Sequence, residues 1–169
     1  MLSDVLIRPA RPDEASRLAA IGYAAWEQDL RPYLSGLAAS RDNERRRLLE
    51  AVASYIRRTV VAEVDGDAVG WCARGRGYVP YLFVDPDMQN HGIGRLLLKR
   101  SESLLELEGW TRVQLDTLAD NVRAVRFYEH QGYHILAMKP DARGGSSNLT
   151  GVRLEKRLNP YSGPVPDTD

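Results

Sequence analysis

The alternation of apolar and polar residues predicts seven strands and four helices in this chain. Short β-rich runs lie at 5–8, 60–64, 68–72, 81–84, 113–117, 133–138 and 152–158, and segments with helical periodicity separate them. The predicted order is β-α-α-β-β-β-α-β-α-β-β. This order favours an α/β protein (mixed α+β), with a central, mixed but mostly antiparallel twisted sheet and helices on both of its faces.

Turn and cap residues support these boundaries. Asp65-Gly66 lies between two β-rich runs and favours a type I′ hairpin, because both central residues of that turn need a positive φ. Gly109 follows a long amphipathic segment at the position of a helix C-cap. Asn121 precedes a short apolar-periodic segment and is expected to cap its helix. The hairpin must be antiparallel, whereas two strands joined through the helix after Gly94 can pair in parallel.

The apolar faces of two helices give a predicted core. In the second helix and the helix after Gly94 the residues expected to face inward are Leu48, Leu49, Val52, Ile56, Leu96, Leu97, Leu104 and Leu105. The run Arg45-Arg46-Arg47 lies opposite the apolar stripe and is interpreted as a solvated helix face.

Composition and charge exclude several classes of function. The 169 residues fit one domain, expected over 1–158, followed by a disordered tail over 159–169. The 23 basic and 23 acidic residues balance, which gives no support to nucleic-acid binding. No run approaches the ~18 apolar residues of a membrane span. A single cysteine, Cys72, fits a reducing cytosol, so we expect a cytoplasmic protein. The choice between a monomer and a homodimer stays open.

Gln89-Asn90-His91-Gly92-Ile93-Gly94 carries the main chemical signal. It lies between a predicted strand and a long amphipathic helix, so free backbone N–H groups collect at a helix N-terminus. The helix dipole adds a partial positive charge, which favours an anion such as a pyrophosphate. Glycine lets the backbone approach a phosphate closely. A Rossmann fingerprint needs a third glycine where this chain has Leu97, and no Gly-Lys-Ser/Thr of a P-loop occurs.

Two motifs in order resemble the GCN5-related N-acetyltransferases (GNAT). The segment 89–94 is similar to that family's acyl-CoA-binding motif, Gln/Arg-x-x-Gly-x-Gly/Ala. Further along, Leu115-Asp116-Thr117, Asn121 and the segment 127–133 resemble its second signature. The resemblance covers about 6–158, and its specific part lies between Leu82 and Tyr133. It implies the acyl-CoA N-acyltransferase fold and acetyl-CoA as the co-substrate.

The resemblance also implies a set of cofactor contacts. The backbone of Leu82, Phe83 and Val84 would pair with the pantetheine arm. The pyrophosphate would be wrapped by the amides of Gln89, Asn90, His91, Gly92, Ile93, Gly94 and Arg95. Asn121 would hold the pantetheine end or an ordered water, although an ordinary helix cap explains it as well. Tyr128 would stand near the sulfur as a general acid.

The acid role of Tyr128 also has a chemical rationale. An amine that attacks a thioester expels a thiolate, and a phenol can deliver a proton to it, which typically gives ~10²–10⁴-fold in rate. The alternative for Tyr128 is a core aromatic residue beside Phe127. For the base we favour Asp116, twelve residues before Tyr128, where ribosomal-protein N-terminal acetyltransferases carry a glutamate. Aspartate is one methylene shorter, so it acts directly or through water.

Other bases and the acceptor remain open. Weaker candidates for the base are Glu63, Glu27 and His134, and the acceptor can also arrive already deprotonated. Trp26 and Tyr33 lie where the family's first helices form the acceptor pocket. We expect a small-molecule amine as the acceptor, with a protein or peptide N-terminus as the second choice. A non-catalytic acyl-CoA-binding regulatory module is the alternative from another class.

No metal site is predicted. His130 and His134 are four positions apart, but Gly132 interrupts any helix that would bring their rings together on one face. Cys72 falls in a predicted strand and is interpreted as a small core residue.

Overall fold

A computed structural model describes residues 4–141, 149–160 and 162–163. The strands are β1 (Leu6–Pro9), β2 (Thr59–Val64), β3 (Asp67–Ala73), β4 (Tyr81–Val84), β5 (Arg112–Leu118), β6 (His134–Asp141) and β7 (Leu149–Arg157). The helices are α1 (Ala15–Asp29), α2 (Arg41–Tyr55), α3 (Ile93–Leu107) and α4 (Val122–His130). The predicted order of elements is confirmed. Most of the predicted tail lies outside the described residues.

The strands form two antiparallel sheets rather than one. β1, β2, β3 and β4 make a four-stranded sheet in that order, and β5, β7 and β6 make a three-stranded sheet. A parallel bridge between Tyr78 and Gln114 joins them. There the N–H of Gln114 donates to Gly77 O at 3.0 Å, and the N–H of Val79 donates to Gln114 O at 2.9 Å. After this bridge β4 and β5 separate.

Two hydrophobic cores lie on opposite faces of the first sheet. On one face α1 and α2 pack Leu18, Ile21 and Leu48 against Val61 and Trp71. On the other face α3 buries its apolar stripe, together with residues of the second sheet. That second core contains Val60, Val69, Cys72, Ile93, Leu97, Leu98, Leu105, Val113, Leu115 and Leu154. Because successive residues of a strand point to opposite sides, β2 and β3 contribute to both cores, and all of their residues except Glu63 and Asp67 are buried.

The predicted turn and caps are present. Asp65 and Gly66 have φ values of 51° and 85°, the left-handed conformation that a type I′ hairpin needs. Asn121 caps α4, since its side chain accepts a hydrogen bond from the N–H of Ala124 at 3.3 Å. Gly109, at φ 90°, follows the C-terminus of α3.

Two leucines predicted for the core are at the surface instead. Leu49 is 45% exposed and Leu96 is 41% exposed. Leu49 follows Leu48 and Leu96 precedes Leu97, and both of these neighbours are fully buried. Because neighbouring helical residues point about 100° apart, only one leucine of each pair faces the core here. The prediction that the run 45–47 faces solvent is confirmed.

Close packing at Gly70 sets the distance between β3, β4 and α3. A Cβ at this position would lie 2.9 Å from the carbonyl oxygen of Phe83 and 3.1 Å from Cδ1 of Leu97. Any larger residue would therefore push β4 or α3 away. The positions of the two elements that border the candidate site depend on this glycine.

Among the described residues, no helix is both long and apolar enough to cross a membrane.

Candidate active site

A cavity of about 630 Å³ opens where the two sheets separate. Its walls come from β4, most of the segment 88–95, the end of β5, one face of α4 and the C-terminal end of α1. The predicted residues that line it are Leu82, Phe83, Val84, Gln89, Asn90, Gly92, Ile93, Gly94, Arg95, Asp116, Asn121 and Tyr128. Predicted residues that are far apart in the sequence thus line one cavity.

The outer edge of β4 faces this cavity, and no described strand pairs with it. β4 pairs with β3 on its other edge, with Trp71 opposite Phe83 and Cys72 opposite Leu82. The N–H of Asp85 donates to Val69 O at 2.8 Å. Since inward and outward groups alternate along an antiparallel strand, Leu82 directs its N–H and C=O towards the cavity. This edge can accept an extended amide-containing chain.

The N-terminus of α3 supplies a second set of backbone donors. Gly92 is the N-cap with φ 80° and ψ 4°, a left-handed conformation that favours glycine. The N–H of Leu96 bonds to Gly92 O at 3.2 Å, so the first turn of amides before it has no partner within the helix. These amides, together with the dipole of α3, suit an anion. Asn90, at φ 65°, makes the turn that leads into the cap.

Gly94 keeps this turn close to the opposite wall. A Cβ there would lie 3.5 Å from Cζ of Phe127 on α4 and 3.8 Å from Cγ2 of Val84. A larger side chain would occupy the space between α3 and α4. The cavity therefore depends on the absence of a side chain at this position.

Tyr128 lies on α4 and lines the cavity. Its ring packs edge-on against Phe127 at 5.1 Å and against Tyr133 at 5.7 Å. Burial raises the pKa of the Tyr128 phenol above its ordinary value. The hydroxyl therefore stays protonated at neutral pH, as a proton donor must.

Asp116 is held in a network on β5. The hydroxyl of Tyr78 donates to Asp116 Oδ2 at 2.8 Å. From β7, Arg153 donates to Oδ1 through Nε at 2.9 Å and to Oδ2 through Nη2 at 3.0 Å. Burial, followed by the hydrogen bond to Asp116, raises the pKa of Tyr78. The hydrogen bond to Asp116 also raises the pKa of Arg153. The carboxylate is thus paired with a cation, and a tyrosine stands beside it.

Three predicted site residues lie outside the cavity wall. His91 is exposed, with Nδ1 3.3 Å from Met88 O. Trp26 is only 2% exposed and packs in the core against Tyr23, so a substrate cannot contact it in this conformation. Tyr33 is 39% exposed on the connection after α1, but it is not part of the wall.

The alternative bases are also outside the wall. Glu27 pairs with Arg41 at 2.6 Å, and Glu63 pairs with Arg8 at 2.6 Å on the β1–β2 edge. His134 is exposed on β6. Among the described residues, no group of three His, Cys, Asp or Glu side chains is arranged to hold a metal ion.

Three residues at the site were not predicted from the sequence. Tyr78 and Arg153 reach Asp116 from 38 and 37 positions away, through the sheet bridge and the β5–β7 pairing. Arg123, in the first turn of α4, reaches the segment 89–90. The proximity of Arg123 to the Asn121 cap is the one local feature that indicates it would lie near the cavity.

The chain matches a family model over most of its length. Residues 19–133 fit the family described as Acetyltransferase (GNAT) family. That range includes all of the residues that line the cavity.

Relatives and solved structures agree with this match. Mycothiol acetyltransferase of Beutenbergia cavernae is 41% identical over 66 residues, 39% of this chain and 22% of that protein. Ribosomal protein bS18-alanine N-acetyltransferase of Salmonella typhimurium is 35% identical over 67 residues, 37% of this chain and 45% of that protein. The chain therefore spans less than half the length of these relatives. The structure of yncA from Salmonella typhimurium with its cofactor acetyl-CoA has a TM-score of 0.74 at 20% identity, over 96% of this chain and 98% of that one. At this identity the likeness shows the fold.

The thiol of Cys72 should be unreactive in the folded protein. It is fully buried in β3, and burial raises its pKa to about 12. At pH 8 roughly one thiol in 10⁴ is then a thiolate, the form that attacks a disulfide reagent. We expect no reaction of native protein with 5,5′-dithiobis(2-nitrobenzoate), and reaction of one thiol per chain in guanidinium chloride. Rapid titration of the native thiol would contradict this burial.

Proposed function

Because this chain belongs to the Acetyltransferase (GNAT) family, we propose that it is an N-acetyltransferase that moves an acetyl group from acetyl-CoA to a primary amine. The strongest support is one cavity that combines the free edge of β4, the amide-rich start of α3 and the Tyr128 phenol. An acyl-CoA needs these three features at its pantetheine arm, its pyrophosphate and its sulfur. Structural neighbours add support, since yncA was solved with acetyl-CoA.

The residues of the cavity fit the co-substrate. Leu82 offers backbone groups that can pair with the amides of a pantetheine arm. Gly92 and Gly94 leave space where a Cβ would meet a phosphate or the wall of α4. Acetyl-CoA supplies the activated thioester. The N–H of Leu82 is the proposed donor to its carbonyl oxygen, where negative charge develops during attack.

Tyr128 is the proposed general acid. The acceptor nitrogen forms a bond to the acetyl carbon, the carbon–sulfur bond breaks, and the thiolate takes a proton from the phenol. Because its pKa is raised, Tyr128 is protonated before the reaction and recovers its proton readily afterwards. Phe127 and Tyr133 both pack edge-on against the ring and so restrict its orientation.

Asp116 and Tyr78 are the proposed route for the acceptor's proton. Both oxygens of Asp116 accept from Arg153, and Oδ2 also accepts from the Tyr78 hydroxyl, so the hydroxyl offers a route by which a proton can reach the carboxylate without direct contact between the amine and Asp116. The Tyr78 oxygen has a lone pair left while it donates to Asp116. It can accept the proton of the amine and pass its own to Asp116. From there the proton leaves to solvent, since Asp116 is 40% exposed.

The proposed acceptor is a small-molecule amine, which can enter the cavity and reach Asp116 and Tyr128 at its wall. A peptide N-terminus is the second candidate. It is favoured by the meeting of Asp116 and Tyr128 at one cavity and by the likeness to ribosomal protein bS18-alanine N-acetyltransferase. A panel of small amines and peptides with N-terminal alanine, assayed by release of free CoA thiol, separates the two.

Gly94→Val should weaken CoA binding at least about tenfold. The added side chain fills the space beside Phe127 and keeps the pyrophosphate from the α3 amides. The loss of one charge-assisted hydrogen bond is worth ~1.5–3 kcal/mol, or about 10–150-fold in affinity. Isothermal titration calorimetry measures the change. Leu96→Val is the control, because it introduces valine at an exposed position of the same helix. This variant should bind CoA with normal affinity. Unchanged affinity in Gly94→Val would refute the pyrophosphate position.

Tyr128→Phe should lower kcat about 10²–10⁴-fold with the best acceptor of the panel, while CoA affinity stays within about twofold. A raised pKa means that wild-type activity is not lost through Tyr128 as the pH rises to about 10, and is lost only above its folded value. The pH profile of kcat measures this. If neither the wild type nor the variant acetylates any amine yet both bind CoA, the protein is an acyl-CoA-binding module without turnover.

Tyr78→Phe should lower kcat about 10²-fold if the proton leaves through Tyr78. The variant keeps the ring and the Asp116–Arg153 pair, so it removes only the hydroxyl. Tyr55→Phe, which removes a hydroxyl at the C-terminal end of α2 and outside the cavity wall, is the matched control. Equal rates in Tyr78→Phe and wild type, with a large loss in Asp116→Asn, would show that Asp116 takes the proton without Tyr78.

A further inference from the structure

The side-chain amide of Gln89 is bonded from three elements. Its Oε1 accepts from Gln28 Nε2 at 3.2 Å and from Arg123 Nη1 at 2.9 Å. Its Nε2 donates to Asp29 Oδ2 and to Val84 O, both at 3.2 Å. The amide thus ties the start of the anion-binding turn to α1, β4 and α4.

Arg123 makes the bond that crosses the cavity. It lies in the first turn of α4, the wall opposite α3, and a second hydrogen bond runs from its Nη2 to Asn90 Oδ1 at 3.0 Å. Gln89, Asn90 and Arg123 all line the cavity. The guanidinium therefore spans the space between α4 and the turn that is proposed to hold a pyrophosphate.

The partners of Arg123 are neutral. Both oxygens that it contacts belong to amides, and Asp29, the nearby carboxylate of the network, bonds to Gln89 instead. Guanidinium bonds to a phosphate are shorter and about twice as strong as those to neutral oxygens. Arg123 is thus held by contacts that an anionic ligand can replace.

We propose that Arg123 is a latch on the co-substrate site: it bridges α4 to Gln89 and Asn90 in the free protein, and it exchanges these amides for the pyrophosphate when CoA binds. The inference rests on the proposed function. The exchange needs no movement of the backbone, because the side-chain amides of Gln89 and Asn90 lie at the same turn that is proposed to bind the pyrophosphate.

The latch also limits what Arg123 adds to affinity. Binding gains the guanidinium–phosphate contact but loses two hydrogen bonds of the free protein, so only the difference appears in Kd. We expect a change of about tenfold on removal of the charge, smaller than a guanidinium with no partner in the free state would give.

A truncated series of ligands tests the latch by calorimetry, without an acceptor. CoA, dephospho-CoA and pantetheine are titrated into the wild type, Arg123→Gln and Arg126→Gln. Dephospho-CoA keeps the pyrophosphate and lacks the 3′-phosphate, and pantetheine lacks both. Arg126, one turn further along α4 and exposed, is the control for loss of one charge from the same helix.

The expected result is a loss of about tenfold for Arg123→Gln with both CoA and dephospho-CoA, an unchanged affinity for pantetheine, and normal binding by Arg126→Gln. Three outcomes would overturn the latch: no loss in Arg123→Gln, a loss with CoA but not with dephospho-CoA, or an equal loss with pantetheine. Wild-type protein that binds neither CoA nor dephospho-CoA would overturn the proposed function as well, so the two failures are distinguishable.

Discussion

The separation of β4 from β5 is the constraint on which the site depends. The strands are held together at the bridge between Tyr78 and Gln114, and beyond it the two sheets diverge. Backbone groups on the edge of β4 are then left without a strand partner, and unpaired groups in an interior are costly. A ligand with amides of its own can complete that edge. The cavity, the access to the backbone N–H and C=O of Leu82 and the approach of α4 to α3 all follow from this divergence.

Recognition at the proposed co-substrate site depends mostly on the main chain. The donors at the start of α3 are amides, and the requirement on sequence there is for small residues such as Gly92 and Gly94, with a turn through Asn90. Such a site tolerates wide change in the surrounding side chains. This agrees with a TM-score of 0.74 to yncA at only 20% identity. Side chains such as Arg123 and Asp116 then add charged groups to a site whose geometry is set by the backbone.

The sequence allowed the fold and the family to be predicted because their signals are local. The hairpin at Asp65-Gly66, the cap at Asn121 and the Gly-x-Gly turn each depend on a few adjacent residues, and all are present. The residue contacts across the sheets were not predictable in this way. Arg153 meets Asp116 only because β5 and β7 pair in that register. Trp26 was a candidate for the acceptor pocket, but the helical period directs it into the core.

The roles proposed for Tyr128, Asp116 and the backbone of β4 remain predictions, although the residues share one cavity. The two cores on opposite faces of the first sheet suggest how such a fold can diversify. Substitutions among the residues under α1 and α2 alter packing around Leu18 and Leu48, while α3 packs in a different core with Leu97 and Leu105. The half of the protein under α1 and α2 can therefore change its packing while the core under α3, which supports the anion-binding turn, stays intact. In evolutionary terms, the two halves of the fold can diverge at different rates.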